Sequence, residues 1–272
     1  MAVVNGYQAS QYTGHVTTPT GNITPIPYEI GVTAGLVPGH SKVAGLGYSP
    51  SVSSSISDIW AGSSGSTTYP FLTSASTLQI VSDSASDAAA GTGARTVTLT
   101  LLDINFNQYT VTVTMNGTTP VTVPGGQYFR VNQMIVATAG STLQNVGNIS
   151  LQTSGGATTI GYILAATGVA QSSVYTAPAG STLYLTKIAI SIDEPLSGNY
   201  VSIGAMVQTP NALLIQRFQI SVSDIASFEL DVPLPVVVQS GQDFFLRSLI
   251  ASGTSPVTAI WQGVQVVNSV LS

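Results

Sequence analysis

Apolar residues in this chain alternate strictly with threonine and serine, and this alternation decides the fold class. In the run ARTVTLTLLD, Val97, Leu99 and Leu101 are separated by threonines, and the next run, NQYTVTVTM, repeats the pattern. A period of two places alternate side chains on opposite faces of a β-strand, so that the apolar set can be buried together. No apolar run keeps helical spacing for more than two turns. The sequence therefore predicts an all-β protein.

The strands are grouped into two sets. Turn clusters of Pro, Gly, Ser and Asn separate them at the spacing of β-sandwiches, and TSGGATTIG at 153–161 is interpreted as a connector between modules. A turn that ends in glycine and feeds an apolar strand recurs at Gly126, Gly180 and Gly241. Such corners are typical of a jelly roll. We expect two tandem β-sandwich, jelly-roll-like modules at 66–157 and 158–272.

Residues 1–65 differ from the rest because they are rich in glycine and proline and have few clustered apolar residues. Prolines remove backbone donors and fix φ, which disfavours a long helix or a central strand; they stand at 19, 25, 27, 38 and 50. We expect an extended N-terminal arm that docks on a neighbouring subunit through isolated apolar anchors such as Ile23, Leu46 and Trp60. Disorder is the alternative, although the charge is too low for a solvating tail.

Charge is scarce throughout. The chain has 6 Lys+Arg, 11 Asp+Glu and a pI near 4.6. A phosphate-binding nucleic-acid interface uses clustered basic residues, so no nucleic-acid partner is expected. The absence of cysteine excludes disulfides, thiolate zinc sites and cysteine nucleophiles. No apolar run approaches the ~18 residues of a membrane span, and MAVVNGYQAS does not have the pattern of a signal peptide.

Catalytic machinery is not visible in the sequence. His15 and His40 both lie in the predicted arm, and neither belongs to a G-x-S-x-G elbow or a triad-like pattern. Gly91 and Gly93 have no third glycine and precede a strand, so they do not make a dinucleotide fingerprint. We therefore expect no enzyme activity, no catalytic residue, no cofactor and no metal.

Two carboxylate groupings leave an alternative open. Asp83 and Asp87 flank a short loop whose oxygens could bind Ca²⁺, but the EF-hand register and its closing glutamate are missing. A polar loop is the favoured interpretation, with Ca²⁺ binding as the alternative. Asp193 and Glu194 lie between two strands and are interpreted as a solvated turn.

One aromatic pair is a candidate for an interface. Phe244 and Phe245 are adjacent in a predicted strand, so the period of two directs one ring away from the core. Trp60 is the second candidate.

Several segments resemble structural proteins of tailed bacteriophage virions, a group that includes capsid decoration, cement and head-spike proteins. The similar segments are DIWAG…YPF (58–71), DAAAGTGARTVTLTLLD (87–103), MNGTTPV (115–121), FRVNQMIVATAGS (129–141), NVGNI (145–149) and the jelly-roll-like YTAPAGSTLYLTKI (175–188). The resemblance carries over no catalytic residue.

The resemblance implies a capsid decoration or cement protein that stabilises the head by binding the major capsid protein as a homo-oligomer, expected to be a trimer. Its location would be the virion, assembled in the host cytoplasm. The alternative is a tail fibre, tailspike or adaptor component that attaches to the host. A third hypothesis is a carbohydrate-active β-sandwich enzyme. The sequence shows no aromatic platform for a sugar, because the chain has only two tryptophans.

Overall fold

The computed structural model describes residues 15–17, 23–62, 68–192, 200–223, 227–251 and 254–270. Over these residues the regular structure is eighteen β-strands, one α-helix of six residues and one 3-10 turn at Asn268–Val270. The all-β prediction is confirmed. The physical reason is the alternation of apolar and hydroxyl side chains, which gives most strands one buried and one exposed face.

Four strands and the helix precede residue 60. Strands β1 (His15–Thr17) and β2 (Ile23–Pro25) form a two-stranded sheet that pairs with no other described strand. The helix α1 (Tyr28–Thr33) follows, and then come β3 (His40–Val52) and β4 (Ser57–Asp58).

Seven strands form a first module with two sheets. They are β5 (Leu78–Ser82), β6 (Ala94–Leu102), β7 (Gln108–Thr114), β8 (Val121–Thr122), β9 (Arg130–Ala139), β10 (Ile149–Thr153) and β11 (Thr159–Ile163). One sheet has the order β11-β10-β5-β8 and the other the order β7-β6-β9. Side chains of both sheets meet in one apolar core that includes Leu78, Leu99, Met134 and Ile149.

The second module consists of β3 and the last seven strands. These are β12 (Tyr175–Thr176), β13 (Ser181–Ile192), β14 (Tyr200–Gln208), β15 (Leu214–Ser223), β16 (Ser227–Val238), β17 (Asp243–Ala251) and β18 (Ser255–Val267). Two sheets, β16-β13-β18-β3 and β12-β17-β14-β15, enclose a core around Leu183, Phe244 and Trp261. Counted along the chain within this module, the orders are 6-3-8-1 and 2-7-4-5, which is the strand order of the eight-stranded jelly roll.

The two modules do not follow each other in tandem as expected, because the first is inserted into the second. β3 is the first strand of the jelly roll and β12 is its second, and all of β5 to β11 lies between them. The segments that enter and leave the insertion run side by side, with the Ala61 N–H donating to the Gln171 carbonyl (2.8 Å) and the Ser173 N–H donating to that of Ile59 (3.0 Å).

Residues 40–62 therefore differ from the arm that the sequence predicts. β3 pairs with β18 from His40 to Val52, and Val52 and Ile59 are fully buried in the jelly-roll core. Pro50 is tolerated because β3 lies at the edge of its sheet, where a missing backbone donor costs little. Gly47 allows the chain to cross closely, since a Cβ there would lie 2.6 Å from the Ile59 carbonyl oxygen.

The segment at 153–161 is a hairpin rather than a connector. β10 and β11 pair antiparallel within the first module, and Gly155 and Gly156 supply the positive φ of the turn. The predicted boundary at 157/158 consequently divides one sheet, and the chain returns to the jelly roll later, between residues 164 and 174.

Candidate functional site

The contact between the two modules holds a buried ion pair. Arg130 on β9 and Asp243 on β17 make two parallel bonds, Nε–Oδ1 at 2.9 Å and Nη2–Oδ2 at 3.0 Å, and the side chains are 6% and 1% exposed. The Thr176 hydroxyl also donates to Asp243 Oδ1 (2.6 Å). Arg130 Nη1 donates to the carbonyls of Leu72 and Phe129. Both charges are therefore compensated out of reach of water.

A second ion pair lies where the chain leaves the jelly roll. Arg247 on β17 bonds to Asp58 on β4, Nε–Oδ1 at 2.5 Å and Nη2–Oδ2 at 3.1 Å. Asp58 Oδ2 also accepts the Tyr69 N–H (2.8 Å), which belongs to the first module. One buried carboxylate thus connects both modules.

Aromatic rings join the two ion pairs. The ring centroids follow one another at 5.1 Å (Trp60 to Tyr69), 4.8 Å (Tyr69 to Phe71) and 5.2 Å (Phe71 to Phe245). The Tyr69 hydroxyl donates to the Ile160 carbonyl (2.7 Å), and burial raises the pKa of Tyr69 far above its ordinary value. We call this set, Asp58, Trp60, Tyr69, Phe71, Arg130, Asp243, Phe245 and Arg247, the junction.

The two aromatic interface candidates both lie in the junction. Phe244 and Phe245 are fully buried on opposite faces of β17, Phe244 in the jelly-roll core and Phe245 in the core of the first module. Trp60 packs in the same core as Phe245. One ring of the pair does point away from the jelly-roll core, as predicted, but it packs into the other module of the same chain instead of a partner protein.

Local patterns do not identify the partners of the two ion pairs, because these lie 113 and 189 residues apart in the sequence. The charged residues themselves are a clue that such partners exist. Charged residues are almost never fully buried unless they are paired, so a charge within an apolar strand, such as Arg247 after FFL, indicates a buried partner.

The carboxylate oxygens of Asp83 and Asp87 accept hydrogen bonds from the protein itself. Asp87 accepts the N–H groups of Ala94 (2.7 Å), Val146 (2.9 Å) and Gly147 (2.8 Å), together with the Ser82 hydroxyl (2.6 Å). Asp83 accepts the backbone and side-chain N–H groups of Asn148. These donors favour the polar-loop interpretation, since a Ca²⁺ ion would have to displace them.

The described contacts of His40 are with a backbone carbonyl and an aromatic ring. His40 Nδ1 lies 2.9 Å from the Pro38 carbonyl, and its ring packs against Tyr28 at 6.0 Å. His15 is in β1, and nothing is described of its side chain. Asp193 and Glu194 lie outside the described residues.

In the part of the chain that the structure describes, no three His, Cys, Asp or Glu side chains are grouped as a metal site would need. In the same part of the chain no helix is long and apolar enough to cross a bilayer. An open groove of about 280 Å³ lies between the modules, lined by Leu46, Met134, Ile160, Ala170 and Ile260 among others.

Fold and junction together define the class: a jelly-roll protein with a second β module inserted after its first strand. No protein-family model and no curated protein matches the sequence.

Among solved structures, T=1 particles derived from infectious bursal virus align at 10% identity with a TM-score of 0.21, over 85% of this chain and 70% of that chain. The VP2 subviral particle of infectious bursal disease virus aligns at 9% identity and a TM-score of 0.22, over 90% and 78%. TM-scores this low do not establish a shared fold, so the class rests on the strand order of this chain.

Proposed function

We propose that this chain is a structural component of a bacteriophage virion, a capsid decoration or cement protein that stabilises the head by binding the major capsid protein. The observation that carries the proposal is the use of charge. Two of the six basic residues, Arg130 and Arg247, are paired inside the junction, so few charges remain for the large protein surface. Depletion of charge is the mark of surfaces that are covered by other protein.

The resemblance to virion proteins of tailed phages supports the same role. In this proposal the protein acts as a homo-oligomer on the capsid shell, with a trimer as the expected number, and it has no catalytic task. The jelly roll alone does not distinguish this function from others, because the same fold carries many.

The copy number per particle tests the proposal. A shell presents many symmetry-equivalent sites and a tail presents few. Quantitative mass spectrometry of purified particles is therefore expected to find hundreds of copies, and labelled electron micrographs should show them distributed over the head. A dozen copies or fewer, located on the tail, would instead establish the fibre, tailspike or adaptor role. Absence from purified particles would refute both.

A further inference from the structure

Exposed strand edges carry backbone N–H and C=O groups that can pair with another chain, and folded proteins usually protect such edges. Three long edge strands here are protected. β16 carries Glu229 and Asp231, β3 carries Lys42 and Pro50, and β15 carries Arg217 at a register shift in its pairing with β14.

β7 has none of these protections. Its sequence, QYTVTVT, contains no charge, proline or glycine, and all seven residues pair with β6 without a register shift. Within the described part of the chain, β7 pairs with β6 on one side. No backbone hydrogen bond from another described segment reaches the other edge of β7.

The apolar core is also incompletely covered at this edge. Tyr109, Val111 and Val113 share the inward face of β7, and Val113 is buried in the core of the module. Tyr109 nevertheless remains 45% exposed, and Val111 is half-buried. A further strand beside β7 would cover both side chains.

The pattern of β7 is complementary to itself. On the outward face its threonines already pair with threonines of β6, with the Thr98 and Thr112 hydroxyl oxygens 3.0 Å apart. On the inward face Val111 lies opposite Leu99. A second β7 offers the same alternation as β6, and the seven residues of β7 include no charge that would repel a second β7.

We propose that β7 pairs antiparallel with β7 of a second copy, about a two-fold axis centred on Val111. This register pairs all seven residues, with Thr110 opposite Thr112 of the second copy and Tyr109 opposite its Val113. The two three-stranded sheets then become one continuous six-stranded sheet. A two-fold contact joins two copies, so it links one trimer to the next if the expected trimer exists, and it does not depend on the virion role.

Cysteine substitution in the full chain tests the register, because the protein has no cysteine of its own. Under mild oxidation Val111→Cys should form a disulfide-linked dimer, since the residue on the axis faces its own copy within disulfide reach. Thr110→Cys and Thr112→Cys should each fail to link alone, and should link to each other when the two proteins are mixed. Ser221→Cys, exposed on the protected edge β15, is the matched control and should form no disulfide-linked dimer.

Charge substitution tests the contact without a covalent bond. Thr110→Lys with Thr112→Lys places like charges opposite each other twice, and should raise the dimer dissociation constant by about tenfold. Thr110→Lys with Thr112→Glu carries opposite charges at the same sites and should retain the dimer. Both threonines are exposed, so circular dichroism should be unchanged in either variant.

Several results would overturn the proposal. One is a chain that stays monomeric in sedimentation equilibrium and forms no disulfide through Val111→Cys. Another is equal weakening by the Lys/Lys and Lys/Glu variants. A third is a dimer that is lost when residues 1–25 are deleted, because the β1–β2 hairpin would then be the occupant of an edge.

Discussion

Breaking the buried pair of the junction from one side should destabilise the protein strongly. Replacing Arg130 by Met leaves the Asp243 carboxylate 1% exposed, with the Thr176 hydroxyl as its remaining side-chain donor. An uncompensated buried charge costs about 3–5 kcal/mol. The guanidinium also lies 3.9 Å from the centroid of the Phe129 ring, and losing that cation–π contact adds about 1 kcal/mol.

The double variant separates the ion pair from the packing around it. Arg130→Met with Asp243→Leu removes both charges and fills the space with apolar atoms. Such replacements are often neutral or stabilising, so the double variant should be more stable than either single one. A double-mutant cycle should then give a coupling energy of at least about 2 kcal/mol.

Urea unfolding followed by tryptophan fluorescence can read the two modules separately. Trp60 lies in the core of the first module and Trp261 in that of the jelly roll, so Trp60→Phe and Trp261→Phe backgrounds each report one core. In the wild type both reporters should unfold in one transition. With Arg130→Met the transition reported by Trp60 should move to lower urea, ahead of the one reported by Trp261.

The control is Arg95→Met, because the Arg95 side chain is exposed and donates to a nearby backbone carbonyl, that of Gly91. Its effect should stay within about 0.5 kcal/mol. If Arg130→Met costs less than about 1 kcal/mol, or if the single effects simply add in the double variant, the pair does not couple the modules.

Three further outcomes are expected. A chain that starts at Ser66 should fail to reach the native fold, because it lacks β3, whereas one that starts at Ile26 should give native circular dichroism and cooperative unfolding. Asp87→Ala should lower the free energy of unfolding by about 3 kcal/mol, because it leaves buried N–H donors without an acceptor. EDTA should leave the Tm of the wild type unchanged. A large loss of Tm in EDTA would instead favour bound Ca²⁺. His15→Ala with His40→Ala should leave oligomer mass and particle decoration unchanged, and a loss of either would contradict the absence of a histidine role.

Local patterns in the sequence predict the strands but not their partners. The period of two identifies β6 and β7 and places Phe244 and Phe245 on opposite faces, because alternation is a property of neighbouring residues. The pairing of His40 with Val266 joins residues from opposite ends of the chain, and no local signal specifies it. An insertion and a tandem arrangement give the same succession of strands along the chain.

Local patterns also leave two turns ambiguous. The glycines at 155 and 156 suit a connector as well as the hairpin that they form, because glycine is common in flexible linkers and also adopts the positive φ of this turn. Asp87 has the residue type of a calcium ligand, and its role as an acceptor depends on Val146 and Gly147, which lie 59 and 60 residues away.

The two Arg–Asp pairs explain how the inserted module can be held in one orientation on the jelly roll, although the chain has few charged residues. Two connecting segments alone would leave the module free to rotate on the jelly roll, because movement is the default for domains joined by a modest polar contact. Apolar packing resists separation but is non-directional, whereas each Arg–Asp pair fixes distance and angle through two parallel bonds. Two such pairs at different points define one orientation. The proposed β7 contact needs such a fixed orientation, because every copy must present the β7 edge in the same direction for neighbouring copies to pair there.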